Sequence, residues 1–542
     1  MKKLFKRIAC VAFASLFFYN ALSLIGLNKE KAVAETASAT AANTEVSAQE
    51  EKNFYETSLD IVTFPAENAR SGAVAAVYDL VGYLVDDSVQ YRVNEGKVYV
   101  SNVDSEKLVL GKDYILRLTY SDEEIEIPFM YVTKALRTVE DLSIFDIDVT
   151  GKIIKGYYAL ANDINAGYEK RILDHKGYSK TGGFEGTFDG LGNRLTFRVG
   201  NVVNESRVGL FGFLRGGAVI KNTAFVDIWT DSCAILAKAS NALSGSQVTV
   251  SNCYFSVYSG FLCLGAILEN GQVWVKLQNV IIDWPGVLFN AETSGQTYSG
   301  AIFARYINRG HAKSDEMMKN VYVISKAPLA FSKDANYETK YYIYYAKNDR
   351  IAPSPLNGIY IFNNVKRYKT GAEMLADTSN SYKSFSDEYW DLSVGIPVFK
   401  SALKSAIGVA IDGENINRKV LYTSSMSEEY ETSAKIVPAI LGAPIPNVDA
   451  NYEILSGGEC VSIEESTGVV TAIKEGKTKI KLSYTYDGDY YEEILTLTIK
   501  TPAGSTSDSE GGCSSSVLEN GALSALVILG ATIALILKRK KA

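Results

Sequence analysis

Residues 184–228 read FEGTFDGLGNRLTFRVGNVVNESRVGLFGFLRGGAVIKNTAFVDI. Glycine punctuates the stretch at Gly186, Gly190, Gly192, Gly209, Gly212, Gly216 and Gly217. The apolar strings between these glycines are too short for helices. The stretch then runs into VIKNTAF, a strand-like string with an Asn inside it.

That last arrangement returns along the chain. Asn222, Asn252, Asn279 and Asn320 each precede or open a β-rich string: TAFVDI, CYFSVY, VIIDWP and VYVISK. A second element alternates with it, starting at Gly209, Cys233, Gly265 and Gly300, at spacings of 24, 32 and 35 residues. A period of this length, without helical spacing of apolar residues, predicts a β-solenoid, in which stacked coils share one long core.

The quoted strings carry a resemblance. GYYALANDINA (156–166), FEGTFDGLGNRLTF, GLFGFL and GAVIKNTAF together resemble the right-handed parallel β-helix region of bacterial surface proteins with GLUG-type repeats. YWDLS (389–393) and GIPVF (395–399) resemble the closing coil of such regions, so the likeness covers roughly residues 137–400. It implies a parallel β-helix over 136–403, with a cap at its N-terminal end. A short helix is expected there, with Thr138 as N-cap and Asp141 three residues on.

The 542 residues exceed one compact core, and 34 Tyr with 43 Gly favour strands and tight turns. Net charge is −7, yet the first 34 residues carry +5 and the last five +4, which leaves −16 between them. So acidic a segment is no nucleic-acid surface, which needs clustered Lys and Arg to neutralise phosphates. Six cysteines are scattered without a CxxC motif. Buried thiols are the plain reading of Cys233, Cys253 and Cys263, with a disulfide among them left open.

Both ends read as export signals. Lys2, Lys3, Lys6 and Arg7 precede an apolar run over residues 8–27, and Ala32-Val33-Ala34 offers small residues for cleavage between Ala34 and Glu35. Residues 521–537 are apolar and uncharged and are followed by Lys538, Arg539, Lys540 and Lys541. As a helix the run spans about 25 Å, so a transmembrane helix over 517–537 is expected, its basic tail (538–542) cytoplasmic and the rest of the chain outside. TSDSEGGCSSS (506–516), the apolar run and the basic end resemble bacterial C-terminal sorting signals, with Cys513 a candidate processing site and no LPXTG motif.

Between these ends, residues 35–53 read as a disordered linker. Residues 54–135 alternate apolar and polar at 97–100, 114–120 and 124–129 and predict a small β-sandwich. The tail VSIEESTGVVTAIKEGKTKIKLSY is similar to group 2 bacterial immunoglobulin-like domains, which places a second sandwich at 408–500, followed by a Ser/Gly linker at 501–516.

Parallel β-helices also carry polysaccharide lyases and glycosidases, which makes an enzyme the serious alternative for the solenoid. Those reactions need paired carboxylates, or a base beside bound calcium. His175 and His311 lie in polar, loop-like strings; Asp163 and Asp189 fall in turn motifs; Asp227, Asp231 and Asp283 are scattered. No GxSxG, phosphate loop or metal-ligand spacing occurs, so neither a catalytic residue nor a cofactor is assigned. Asp189, Gly190, Gly192, Asn222, Asn252, Asn279 and Asn320 read as structural turns and ladder. Tyr341, Tyr342, Tyr344 and Tyr345 offer aromatic faces for sugar rings or a protein partner. The expectation is an all-β, membrane-anchored cell-surface adhesin that binds glycans or proteins. A polysaccharide-degrading enzyme and a structural envelope component are the alternatives.

Overall fold

The computed structural model describes residues 52–146, 151–167, 182–199, 209–240, 247–257, 262–263, 267–271, 275–283, 302–306, 318–324, 365–368, 370–413, 418–425, 427 and 430–502. Among them the chain is all-β: strands dominate, and each helical piece spans six residues or fewer. The chain divides into two units, the first made of 1–282, 288–321 and 327–365, the second of the remainder.

The first unit opens with a two-sheet sandwich. One sheet orders Phe54–Glu56, Glu124–Val132, Asp113–Thr119, Val74–Asp79 and Leu84–Asp86; the other orders Ile61–Pro65, Lys97–Ser101 and Gln90–Asn94. Alternation in Asp113–Thr119 sends Tyr114, Leu116 and Leu118 inward, as a sheet wet on one face requires. They meet Val62, Phe64, Val98 and Val100 from the facing sheet, and Phe64 stacks on Phe129 at 5.5 Å.

Strand pairing then becomes parallel. Lys134–Leu136 pairs with Tyr157–Leu160, which pairs with Thr187–Asp189, which pairs with Val219–Cys233, which pairs with Val248–Val257. Val275–Asp283 and Met318–Ile324 extend the same sheet. The register is set residue on residue: Tyr157 lies opposite Thr187, Thr187 opposite Val219, and Val219 opposite Thr249. A second parallel sheet takes Ile153–Ile154, Gly183–Phe184, Phe213–Leu214, Ala237–Ser240, Leu268–Gly271 and Phe303–Tyr306 in sequence order. Successive repeats therefore contribute successive strands to both sheets.

Tyr157–Leu160 is covered on both faces and reads as an apolar run, with all four of its residues buried. Like side chains stack along the sheet. Phe225 lies 4.9 Å from Phe255 with the rings 7° from parallel, and Phe188 follows at 6.2 Å. The near end of this core is plugged by Phe145, fully buried at the end of the 3₁₀ helix Glu140–Phe145. Its ring meets Tyr158, Phe184, Phe188 and Phe211 at 5.0–5.8 Å. The N-cap is Val139, with no side-chain cap bond, and not the expected Thr138. One residue earlier, Asp141 N–H donates to Thr138 Oγ1 at 3.4 Å and Thr138 N–H to Asp141 Oδ2 at 3.0 Å, so the pair ties down the helix entry from just outside it.

The second unit departs from the expectation at residues 389–399. Trp390–Asp391 and Val398–Phe399 pair antiparallel, as a hairpin rather than a parallel coil. Only six residues join them, turning at Gly395 (φ 84°), and a connection that short cannot carry a parallel crossover. Trp390 is buried edge-on between Phe385 and Phe399, 4.9 Å from each. A second sandwich follows. Ile407–Ile411, Ser433–Ile440, Val469–Ala472 and Val461–Glu464 form one sheet, with Ala443–Pro444 on its side; Arg418–Tyr422, Asp489–Lys500, Gly476–Tyr486 and Ala450–Ser456 form the other.

Both terminal segments lie outside the described residues, with Ala34, Glu35 and Cys513. Among the described residues no helix is long and apolar enough to cross a membrane.

Candidate functional site

The Asn positions come together as one chain of amides. Asn252 Nδ2 donates to Asn222 Oδ1 at 3.2 Å, Asn279 Nδ2 to Asn252 Oδ1 at 3.1 Å, and Asn320 Nδ2 to Asn279 Oδ1 at 2.9 Å. All four sit in the left-handed region, at φ 51°, 48°, 53° and 54°. Asn is among the few residues with a side chain that tolerates that conformation, and its short amide reaches its counterpart one repeat away.

The chain ends on Asp189, whose side chain is buried. Asn222 Nδ2 donates to Asp189 Oδ1 at 3.0 Å, Leu191 N–H to the same oxygen at 2.9 Å, and Lys221 Nζ pairs with Oδ2 at 3.0 Å. The Tyr157 hydroxyl also donates to Oδ2. Four partners saturate this carboxylate, so it is held as an acceptor and not left to act on a substrate. A Cβ at Gly190 would stand 2.4 Å from Asn222 O, so only glycine lets the two turns approach. Gly192 continues the turn at φ 87° and donates its N–H to the same Asn222 O at 2.9 Å.

Other carboxylates are also committed to structure. Asp163 accepts from Arg194 N–H at 2.9 Å and pairs with its Nε at 3.3 Å. Asp227 Oδ1 accepts from Ser256 Oγ at 3.5 Å, and Asp283 is buried. In the N-terminal sandwich Asp86 is 1% exposed. Burial alone would raise its carboxyl, but bonds from Asp104 N–H, Ser88 and Lys107 outweigh it and bring it down to about 2. Among the described residues no group of three or more His, Cys, Asp or Glu is placed to hold a metal. Cys253 and Cys460 are free, and burial pushes the Cys253 thiol well up. Cys233 and Cys263 fall opposite each other in the strand register.

A dense polar constellation escaped sequence reading. Lys366 Nζ reaches Asp377 Oδ2 at 3.1 Å and Ser379 Oγ at 2.8 Å, and Tyr368 OH donates to Asp377 Oδ2 at 2.7 Å. Asn380 Nδ2 donates to Tyr382 OH at 2.9 Å. Bonds from Ser379, Tyr368 and Lys366 hold the Asp377 carboxyl well below the usual range. Burial, then the bond to Asp377, drives Tyr368 up, and burial takes Tyr382 up to about 12. Every hydroxyl and charge here is answered within the cluster, which locks the chain between 366 and 382 and offers no idle nucleophile.

An open recess of about 590 Å³ lies on the C-terminal sandwich, with Asn447, Asp449, Asn451, Ser483, Thr485 and Tyr490 in its lining. Its one sequence signal was the Asp487-Gly488 turn between aromatic strands. The tyrosines expected to bind, Tyr341, Tyr342, Tyr344 and Tyr345, lie outside the described residues, as do His175 and His311.

The arrangement defines an all-β protein with a parallel, Asn-laddered region and a sandwich on either side of it in sequence. No family model, curated protein or solved structure matches the chain.

Proposed function

We propose that this chain is a surface-displayed recognition protein, an adhesin whose parallel region is a right-handed β-helix held out from the cell by its C-terminal segment. One observation carries the reading: the left-handed Asn ladder that repeats from Asn222 to Asn320 and ends on Asp189. A ladder of this kind fixes strand register over successive repeats and gives a stiff, extended flank, which suits presentation to a glycan or a protein on another surface. The resemblance to GLUG-type surface proteins and the export signals at both ends support the same reading.

The polysaccharide-degrading alternative loses support from the carboxylates. Asp163 and Asp189 are engaged by Arg194, Lys221 and backbone N–H groups, whereas glycoside hydrolysis needs two carboxyl groups facing one bond. The test is binding of the full chain to arrayed glycans and to extracellular proteins, with every bound glycan then assayed for released reducing ends or unsaturated products. Binding without product is expected. Product release would overturn the reading in favour of the enzyme, and silence in both assays in favour of a structural envelope role.

A further inference from the structure

We infer that the recess on the C-terminal sandwich is a carbohydrate subsite for neutral sugars, with Tyr490 as its stacking face. The inference rests on the recognition reading for its ligand class and adds a site on a domain that reading leaves idle.

Strand register builds the platform. In the hairpin of Gly476–Tyr486 and Asp489–Lys500, Thr485 lies opposite Tyr490 and Ser483 opposite Glu492; Asn451 flanks Ser483 from the other side. Side chains directly opposite share a face, as do residues two apart, so Tyr490, Thr485, Ser483, Glu492 and Asn451 form one patch. The intervening Leu482 and Tyr484 point into the core, and Tyr484 OH ties the strand down by donating to Gly408 O at 2.7 Å. Two residues at positive φ, Asp487 (51°) and Gly488 (81°), close the hairpin beside this patch. A two-residue turn of that kind fixes the strand register, so Tyr490 is set in place before any ligand arrives.

The chemistry of the lining selects the ligand. Tyr490 is 64% exposed, and its hydroxyl donates to Glu492 Oε2 at 3.3 Å, which leaves the ring flank open. An open aromatic face matches the C–H side of a pyranose ring. Around it, Asn447 and Asn451 amides, the Asp449 carboxylate and the Ser483 and Thr485 hydroxyls supply donors and acceptors for sugar hydroxyls. A drug-like apolar ligand needs a mostly apolar pocket, which this is not. Calcium needs several carboxylates, and the lining holds one. No Lys or Arg lines the recess, and Glu492 and the turn's Asp487 add negative charge beside it. Sialylated and uronic-acid sugars are therefore repelled, and neutral or amino sugars fit. The volume holds a mono- or disaccharide unit, so chains longer than that extend outward.

The test uses the full chain against galactose-, mannose- and N-acetylglucosamine-terminated oligosaccharides and their sialylated counterparts. Three variants are compared: Tyr490→Ala, Tyr490→Phe and Asn451→Ala. All change exposed side chains, and unchanged thermal unfolding checks each fold. Neutral oligosaccharides are expected to bind and sialylated ones to stay at background. Tyr490→Ala should weaken binding about tenfold, and Tyr490→Phe, which keeps the ring, no more than about threefold. Full neutral-sugar binding by both Tyr490→Ala and Asn451→Ala overturns this site while leaving the recognition reading intact. Preference for sialylated sugars overturns it through the charge argument. Binding of neither class overturns the site and removes glycans from the recognition reading as well.

Discussion

Asn252 shows how one residue type serves two demands at once. It holds φ at 48°, accepts from Asn279 and donates to Asn222. Asn252→Ala loses both side-chain bonds and places a Cβ-bearing residue without a compensating amide in the left-handed region, at a cost of roughly 2–4 kcal/mol. Asn252→Gly also loses the bonds but relieves the backbone, so it should recover about 1 kcal/mol of that loss in urea unfolding. Equal losses for Ala and Gly would show that the backbone conformation contributes nothing.

Glu493 poses the opposite case. It lies on the face of its strand shared with the fully buried Leu495 and Leu497, and burial raises its carboxyl above the ordinary value. A raised carboxyl means the folded chain holds this proton more tightly than the unfolded chain does. Its penalty is complete above the raised value and fades as pH falls through it toward the ordinary carboxylate range. Glu493→Gln should therefore be more stable than the parent near pH 7, with an advantage that shrinks toward pH 4 or so. Denaturant unfolding at both pH values checks this; a constant difference would assign the effect to something other than titration.

Among the elements, the 3₁₀ helix Glu140–Phe145 has the clearest single task. An exposed end of a parallel stack presents apolar core to water, and Phe145 covers it from a helix too short to stand by itself. Phe145→Ala should cost about 3–5 kcal/mol, the usual price of emptying a buried aromatic site. Circular dichroism during thermal unfolding reads that loss, and a cost under about 1 kcal/mol would show that the aromatic cluster closes without it. The helix was legible because Thr138 and Asp141 stand three apart before an apolar residue. Its 3₁₀ form was not, since local spacing does not decide between i+3 and i+4 bonding.

Across the whole molecule, the chain divides into two compact units, which should not unfold as one. Calorimetry is expected to resolve more than one transition. Near pH 7, Phe145→Ala should lower a transition that Glu493→Gln leaves in place, and Glu493→Gln should raise one that Phe145→Ala leaves in place. A single transition shifted by both variants would show that the units share cooperativity.

The sequence by itself pointed to an all-β chain, to the alternating strands at 97–100, 114–120 and 124–129, and to the Asn and Gly positions that turn the repeats. These depend on local properties: alternation, positive-φ tolerance and turn chemistry act within a few residues. Tertiary structure decided what those properties could not. It directed the amides of Asn222, Asn252, Asn279 and Asn320 toward Asp189, made residues 389–399 an antiparallel hairpin, and set Asn451 beside Ser483 and Tyr490 beside Thr485. Each of these depends on which strand becomes a neighbour of which, and that choice is made by burying a shared core between segments far apart in the chain.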